Sequence, residues 1–492
     1  MKLFNTLRRK KEKFYTIDTT PGRPKVSMYV CGVTPYDSPH IGHALTALRC
    51  SVLRQYLAYK GYDVTYVQNV TDIEDKIIAR SRVLKESPLA LARRYTEEYQ
   101  KDMVRLGIPA PTAEPKVSEF LPQIISYIGR LLALGHAYVT PRGDVYFDIS
   151  KSAEYGKLSG RKTEDMKQGT RESVREEKKH PLDFALWKRF SEDPDTFESP
   201  WGPGRPGWHT ECCAMSNSIL GPHIDIHCGG MDLLFPHHEN EVAQCEAHNR
   251  QPFVNFWVHT GLMMVNGSKM SKSLGNFVTM DDGIKRYGVP LMVYVVMKFH
   301  YRSPINLCND AFDESLNQLA DLYWFVDAVD KTVPNDCVAA SSSHIADKMR
   351  GEFVAAMDND INSPVALVAF AQAIKASRPL LAEAGQNGAE LKCIAAELRR
   401  LGKVLFLFQD GQSYESVVND LLGYISWSTN GELPAPLSYS DLQIRLAARV
   451  DARQRGDFAQ SDAIRNELVT QGVVVLDGDS RGWKFGVSRR SA

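Results

Sequence analysis

Two histidines flanking a glycine, His40-Ile-Gly42-His43, are the first residues in the chain whose spacing suggests chemistry. A β-prone run around Val26 to Val30 precedes them, and Pro35 and Pro39 break regular structure. Leu45, Leu48, Val52, Leu53, Tyr56 and Leu57 then recur at a helical period. The pair therefore falls at a strand-to-helix turn, where free N–H groups and the helix dipole favour anions. Gly42 leaves room for a ligand to approach the backbone. Two imidazoles there can stabilise charge developing on phosphorus during nucleotidyl transfer; ordinary turn histidines are the alternative.

Two later stretches carry similar potential. In Phe235-Pro-His-His-Glu-Asn-Glu241, Pro236 suits the first turn of a helix. His237 and Glu241 then share a helical face four apart, and His238 and Glu241 three apart. Either pair can ligate a metal, although a surface salt bridge or a cap is the commoner outcome of such spacing. Gly267-Ser-Lys-Met-Ser-Lys-Ser273 places Lys269 and Lys272 among small residues. A mobile phosphate-clamping loop needs that composition, and so does a solvent-exposed turn.

The elements that must position these residues follow from periodicity. Residues 1–109 alternate strand and helix, with a second strand over Asp63 to Val70. Such alternation implies a parallel sheet with a site at the carboxyl ends of its strands. Asp72, Glu74 and Asp75 read as a solvated helix start. Residues 110–200 form an insertion, with an amphipathic helix over roughly Val117 to Leu134, short strands and a charged loop from Arg161 to His180. The β/α pattern resumes over 201–265, followed by the lysine-loop region over 266–308. A helical bundle spans 309–410, a polar linker 411–436, and a small module 437–492. The expected fold is α/β: a Rossmann-like parallel-sheet core split by an insertion, then an α-helical bundle and a small mixed α/β C-terminal module.

The 59 basic and 59 acidic residues cancel, so any nucleic-acid surface must be a local basic patch. The sequence holds no uninterrupted apolar run long enough to span a bilayer, so no membrane partner is expected. The basic first residues lack the apolar core of a signal peptide; a presequence is the competing reading, and a cytoplasmic location is expected. Nine irregularly spaced cysteines argue against a disulfide framework.

His40-Ile-Gly-His43, Lys269-Met-Ser-Lys-Ser273 and the helical C-terminal region together resemble the class I aminoacyl-tRNA synthetases. Tyr29-Val-Cys-Gly32, Asn69-Val-Thr-Asp-Ile-Glu-Asp-Lys-Ile77, Ser199-Pro-Trp-Gly-Pro-Gly-Arg-Pro-Gly-Trp-His-Thr-Glu-Cys212 and Phe235 to Glu241 resemble the cysteinyl branch of that family. The likeness runs over essentially the whole chain. It implies one zinc ion held by Cys31, Cys212, His237 and Glu241, which displaces the salt-bridge reading of the last pair. In the family, zinc binds the thiol of the substrate L-cysteine. A hydroxyl is a poor zinc ligand, so serine is refused further than the roughly hundredfold a hydrophobic pocket manages, and no editing domain is needed.

The resemblance further implies that Cys31, Gly32, Thr34, Thr71, Trp208 and Asp232 line the amino-acid pocket. Trp208 matches a tryptophan that closes over the amino acid; a core aromatic is the alternative. His40, Gly42, His43 and Lys272 bind ATP with Mg²⁺, and Lys269 joins Lys272 at the β and γ phosphates. The same resemblance implies that cysteine is activated as cysteinyl-adenylate and passed to the terminal ribose of tRNA(Cys). A monomer is expected. Cys213 and Cys228 depart from the family pattern and raise the question of metal loading. The C-terminal run Leu476 to Phe485 also departs, leaving Trp483 and Phe485 as candidates for stacking on anticodon bases. Two alternatives share much of this pattern: the mycothiol-pathway ligase that joins cysteine to an amino sugar, and a non-catalytic tRNA-binding relative. A plain nucleotidyltransferase would lack the lysine loop and the zinc set.

Overall fold

The computed structural model describes residues 1–162, 177–190, 193–265, 267–269, 276–429 and 437–486. The chain divides into two compact units, one of residues 1–104 and 108–262 and one of residues 105–107 and 263–492.

The first unit is built on a four-stranded, all-parallel sheet. Its spatial order is Val254–Thr260, Ile224–Gly230, Lys25–Val33, Asp63–Val70. The strand formed first, Lys25–Val33, thus lies inside, and the chain builds outward from it in both directions. The chain crosses from it to Asp63–Val70 on one side and, after the insertion, comes back to Ile224–Gly230 on its other side. That reversal opens a crevice at the carboxyl ends of the two inner strands. Helix Ile41–Tyr59 makes the first crossover, burying Leu45, Leu48, Val52, Leu53, Tyr56 and Leu57 along one face. The apolar residues picked out by period are therefore the ones that pack on the sheet.

The insertion carries helix Leu121–Ala133 and a four-stranded antiparallel sheet ordered Ala137–Val139, Val145–Phe147, Phe184–Arg189, Gly204–Pro206. Its described apolar residues share a core with the α/β sheet. Ile124, Tyr127, Ile128 and Leu131 join one buried cluster with Tyr29, Val67, Met215 and Trp257 of the α/β core. At about 1.5–3 kcal/mol for each large apolar side chain buried, this shared packing holds the insertion against the sheet.

The second unit begins with a small sheet: Met263–Val265 pairs antiparallel with Ser268–Lys269 and parallel with Ile305–Leu307. Helices Asn309–Thr332, His344–Asp358, Ser363–Ala382 and Ala384–Val404 form the bundle. Ser363–Ala382 is long and apolar enough to cross a membrane. Its apolar face instead packs within the bundle, burying Ala366, Phe370, Ala373 and Ile374, with Phe370 stacked on Phe353. The stretch expected as a linker holds a further helix, Tyr414–Ser428, opened by a Ser413/Ser416 capping box. It buries Val417, Val418, Leu421, Leu422, Tyr424 and Ile425, an amphipathic period that the polar flanks obscure. The rest of that stretch, 430–436, lies outside the described residues.

The last module has helices Tyr439–Gln454 and Phe458–Thr470 and a hairpin of Val473–Val475 with Trp483–Phe485. Trp483 and Phe485 were expected to stack on bases, but they are only 1% and 4% exposed. Residues two apart on a strand share a face, and here that face is the module's core. Their rings meet edge-on at 5.0 Å. Asn317 clamps the Phe485 backbone: its Oδ1 accepts from the N–H at 2.8 Å and its Nδ2 donates to the carbonyl at 2.9 Å. The Arg481 side chain is 4% exposed and reaches Asp321, Asn317 and the Trp483 carbonyl at 2.7–2.9 Å. Arg481→Ala is expected to lower stability by about 2 kcal/mol. That is below the cost of breaking a fully buried pair, because Asp321 is part-solvated. Urea unfolding followed by tryptophan fluorescence measures it; an unchanged midpoint would rule out the docking role.

Candidate active site and metal centre

The carboxyl ends of Lys25–Val33 and Ile224–Gly230 face the crevice. Cys31 and Gly32 close the first strand. A side chain at Gly32 would place its Cβ 1.6 Å from the Asn69 carbonyl oxygen, so only glycine lets the strands meet there. The Gly32 N–H donates to Asn69 Oδ1 at 2.9 Å. Gly229 makes the matching space on the other strand, since a Cβ there would fall 2.6 Å from the His238 ring. Into this space project side chains from two more elements. Cys212 comes from helix Trp208–Leu220. His237 and Glu241 come from the junction between the turn Leu234–His238 and helix Glu239–Asn249. The regular helix begins at Glu239, later than Pro236 suggests, yet His237 and Glu241 still meet, with Nε2 2.8 Å from Oε1.

Cys31, Cys212, His237 and Glu241 offer four donor atoms that all lie within 4.8 Å of one another. Sγ of Cys31 is 3.9 Å from Sγ of Cys212, 3.5 Å from His237 Nε2 and 3.7 Å from Glu241 Oε1. Sγ of Cys212 is 3.6 Å from His237 Nε2. A tetrahedral zinc with bonds of about 2.3 Å to sulfur and about 2.0 Å to nitrogen or oxygen needs edges of roughly 3.3–3.8 Å. The sulfur edges match; the His237–Glu241 edge is shorter, at hydrogen-bond length. The donor set of two thiols, an imidazole and a carboxylate also suits zinc. These residues fit the ion.

Their electrostatics point the same way. Burial raises the Cys31 thiol, while the hydrogen bond from Cys31 pulls Cys212 down to about 6, so Cys212 carries the thiolate. Burial opposes charge on His237, but Glu241 and Cys212 outweigh it and raise the imidazole to about 10. Burial likewise opposes charge on Glu241, and His227 and His237 hold it well below the usual carboxylate range. A cation entering this group exchanges for the protons it holds.

His209, His227 and His259 belong to this centre and escaped the sequence reading. His209 Nδ1 lies 2.9 Å from His237 Nδ1, orienting that ring from behind. His227 Nε2 lies 2.6 Å from Glu241 Oε2 and stacks on Trp257. His238 Nε2 lies 3.3 Å from Cys31 Sγ, and its Nδ1 meets His259, which in turn meets Thr6. Cys31, His227, His238 and Glu241 make a second, overlapping donor group. The group with Cys212 supplies the extra soft ligand zinc prefers. Only the three-residue spacing of His238 and Glu241 hinted at this layer. Cys213 points to the Glu241 carbonyl, and Cys228 to Cys50 at 2.7 Å; neither belongs to a donor group.

The structure places most of the remaining expected residues as follows. Trp208 is 40% exposed and stacks on His237 at 4.3 Å, so it is a rim residue and not a core aromatic. Thr71, buried, follows strand Asp63–Val70, with its Oγ1 accepting from Asn69. Thr34 lies just past Val33, and its carbonyl accepts from Tyr36. Asp232 is exposed in the short turn Met231–Leu233. His40 caps helix Ile41–Tyr59: its Nδ1 accepts from the Gly42 N–H at 3.1 Å, and its ring stacks on His43 at 3.7 Å. Burial first, and His40 second, push His43 down to about 3. It is therefore neutral at pH 7 and offers an N–H, not a charge. In the second unit, Lys269 lies on strand Ser268–Lys269, whereas Lys272 lies outside the described residues.

The fold is shared with solved structures. Methionyl-tRNA synthetase of Mycobacterium tuberculosis in complex with methionyl-adenylate superimposes with a TM-score of 0.58 at 14% identity, covering 84% of this chain and 94% of that one. Residues 19–317 match the family described as tRNA synthetases class I (C) catalytic domain, and residues 352–409 match the DALR domain. Fold and site thus define a class I aminoacyl-tRNA synthetase. Its similarity to cysteine–tRNA ligase of Chromohalobacter salexigens is 40% identity, covering 98% of this chain and 99% of that protein. The chloroplastic/mitochondrial cysteine–tRNA ligase of Arabidopsis thaliana is 41% identical over 96% of this chain and 84% of its own length. The chain belongs to the cysteine–tRNA ligase family and is a ligase.

Proposed function

We propose that the chain activates L-cysteine with ATP as cysteinyl-adenylate and transfers the cysteinyl group to tRNA(Cys). The observation that carries this reading is the Cys31–Cys212–His237–Glu241 donor group, set at the sheet crevice one loop before His40 and His43. These four residues would hold zinc. When bound, the ion supplies a soft centre that takes the substrate thiol as thiolate and passes over a serine hydroxyl.

The chain's own residues do the rest by position. His209 and His227 fix the rings and carboxylate that bind, and Trp208 covers the opening. Cys31, Gly32, Thr34, Thr71 and Asp232 line the amino-acid pocket. The cysteine carboxylate oxygen bonds to the α-phosphorus of Mg·ATP as the bond to pyrophosphate breaks. The His40 and His43 rings meet the charge that develops, Gly42 leaves room for the nucleotide, and Lys269 and Lys272 meet the departing phosphates. The terminal ribose hydroxyl of tRNA then attacks the cysteinyl carbonyl, and AMP leaves. The protein supplies orientation and electrostatics, not a covalent nucleophile. Nine free thiols accord with a reducing, cytoplasmic setting.

The test is ATP-dependent transfer of labelled cysteine to tRNA, with serine and an amino sugar as competing substrates. Product on the amino sugar alone would favour the mycothiol-type ligase, and no activation at all a silent tRNA-binding relative.

The state of His43 sets a pH expectation. Its folded value of about 3 lies below the unfolded 6.5. The stability it contributes is therefore complete above about 6.5 and lost as pH falls toward 3. His43→Asn is expected to slow cysteine-dependent pyrophosphate exchange without moving the acid limb of its pH profile between 5 and 8. A shift of that limb by about half a unit or more would make His43 a titrating catalyst.

With Trp483 and Phe485 buried, the exposed aromatic of the last module is Phe458, at 64%, beside Arg453 and Arg455. We read it as the surface that stacks on a tRNA base. Phe458→Ala is expected to cost about 1–3 kcal/mol of tRNA binding, roughly ten- to a hundredfold in charging efficiency. Pyrophosphate exchange should be unchanged. Equal charging by the variant would remove this surface from tRNA recognition.

A further inference from the structure

Asp360 is a fully buried carboxylate far in sequence from every motif discussed above. It lies in the turn between helices His344–Asp358 and Ser363–Ala382, inside the region that matches the DALR domain. Its side chain is 0% exposed. One oxygen accepts from Tyr301 Oη at 2.7 Å; the other accepts from Arg302 Nε at 2.9 Å and lies 2.8 Å from Arg302 Nη2. His300 Nε2 stands 3.6 Å away. Three consecutive side chains thus converge on one buried charge.

The turn that presents this carboxylate is strained. Asp360 and Ile361 both have left-handed backbone, with φ of 72° and 51°. For β-branched Ile361 such a conformation is a true outlier. It persists because the Ile361 side chain is buried, at 2% exposure, and because the carboxylate is fastened from the other side. Two disfavoured conformations held side by side indicate that the surrounding contacts over-determine this turn.

What the fastening holds is the sheet that carries Lys269. Arg302 is separated from strand Ile305–Leu307 only by Ser303 and Pro304, and proline has a fixed φ. Ile305–Leu307 pairs residue for residue with Met263–Val265, and Met264 pairs with Lys269. Asn306 Oδ1 also accepts from the Gly267 N–H at 2.8 Å, pinning the turn of that hairpin. A path of hydrogen bonds, the short backbone link Ser303–Pro304 and ladder pairs therefore runs from the bundle turn to the first signature lysine.

We propose that Asp360 is a positioning residue for ATP chemistry: by gripping Tyr301 and Arg302 it sets the register of the small sheet and thereby the placement of Lys269. The inference rests on the reading of Lys269 as a phosphate ligand. Through it, the helical bundle is joined mechanically to the ATP-binding strand. Asp360→Asn keeps the shape but removes the charge that Arg302 grips. Tyr301→Phe removes one hydrogen bond and leaves the ion pair, so it serves as the milder variant.

The experiment uses the full chain and measures cysteine-dependent pyrophosphate exchange, normalised to competent sites by active-site titration. Asp360→Asn is expected to lower kcat between about tenfold and a hundredfold, the scale of a misplacement remote from the chemistry. Tyr301→Phe is expected to lower it by a few-fold. KM for cysteine and bound zinc should stay at wild-type values in both. Combined with Lys269→Ala, Asp360→Asn should add no more than about a twofold loss, because both act through one lysine. If Lys269→Ala alone exchanges pyrophosphate normally, the phosphate-ligand reading fails first. If Lys269→Ala is impaired but kcat per competent site is unchanged in both other variants, or the losses multiply, Asp360 is only structural and the proposal is overturned.

Discussion

Cys212→Ser is expected to lose the zinc ion and, with it, cysteine activation by more than about a hundredfold. Changes merely around a metal ligand already cost ten- to a hundredfold, and this change removes a ligand outright. Cys212 carries the thiolate of the donor group, pulled down to about 6 by Cys31 with His237 assisting against burial. A serine hydroxyl stays protonated at neutral pH and offers zinc a far weaker donor. The rest of the group would keep Cys31, His237 and Glu241 in contact, so the fold should survive. Metal content measured by elemental mass spectrometry, beside circular dichroism, separates loss of the ion from loss of the fold. A folded Cys212→Ser protein that retains one zinc and activates cysteine at the wild-type rate would eliminate this metal centre.

Lys272→Ala should depress cysteine-dependent pyrophosphate exchange by about 10²–10³, the usual cost of removing one charged or hydrogen-bonding group that meets transition-state charge. Negative charge builds on the pyrophosphate as it departs, so the loss belongs in kcat. KM for cysteine should hardly move, because the substrate thiol and the departing phosphates are at opposite ends of the reacting pair. Exchange within about threefold of wild type would mean that the loop after Lys269 does not clamp phosphate.

The elements behind these expectations were legible in the sequence for a local reason, while the zinc and phosphate roles came from the resemblance to a family. Helix Ile41–Tyr59 and strand Asp63–Val70 follow from periodicity, since side-chain spacing along an element is set by its own backbone. His40 as cap of that helix follows from the same pattern. His237 and Glu241 meet because four residues span one turn, even though the regular helix starts at Glu239. Helix Tyr414–Ser428 was within reach too, for its buried residues keep a helical period beneath polar flanks.

What only the tertiary structure decided concerns residues with no local relation. No pattern joins Cys31 to Cys212, 181 positions apart; the resemblance to a family linked them, and the order of the parallel sheet brings them within reach. His209, His227, His238 and His259 become a layer around the metal centre only when three strands and two helices converge. Alternation put Trp483 and Phe485 on one face, but only the docking of Arg481 and Asn317 shows that this face is buried. Asp360 reads as one more acid in a polar turn until Tyr301 and Arg302 close on it. Short-range geometry sets the period of each element; which faces meet, and which charges are thereby buried, is settled by contacts between residues the chain holds far apart.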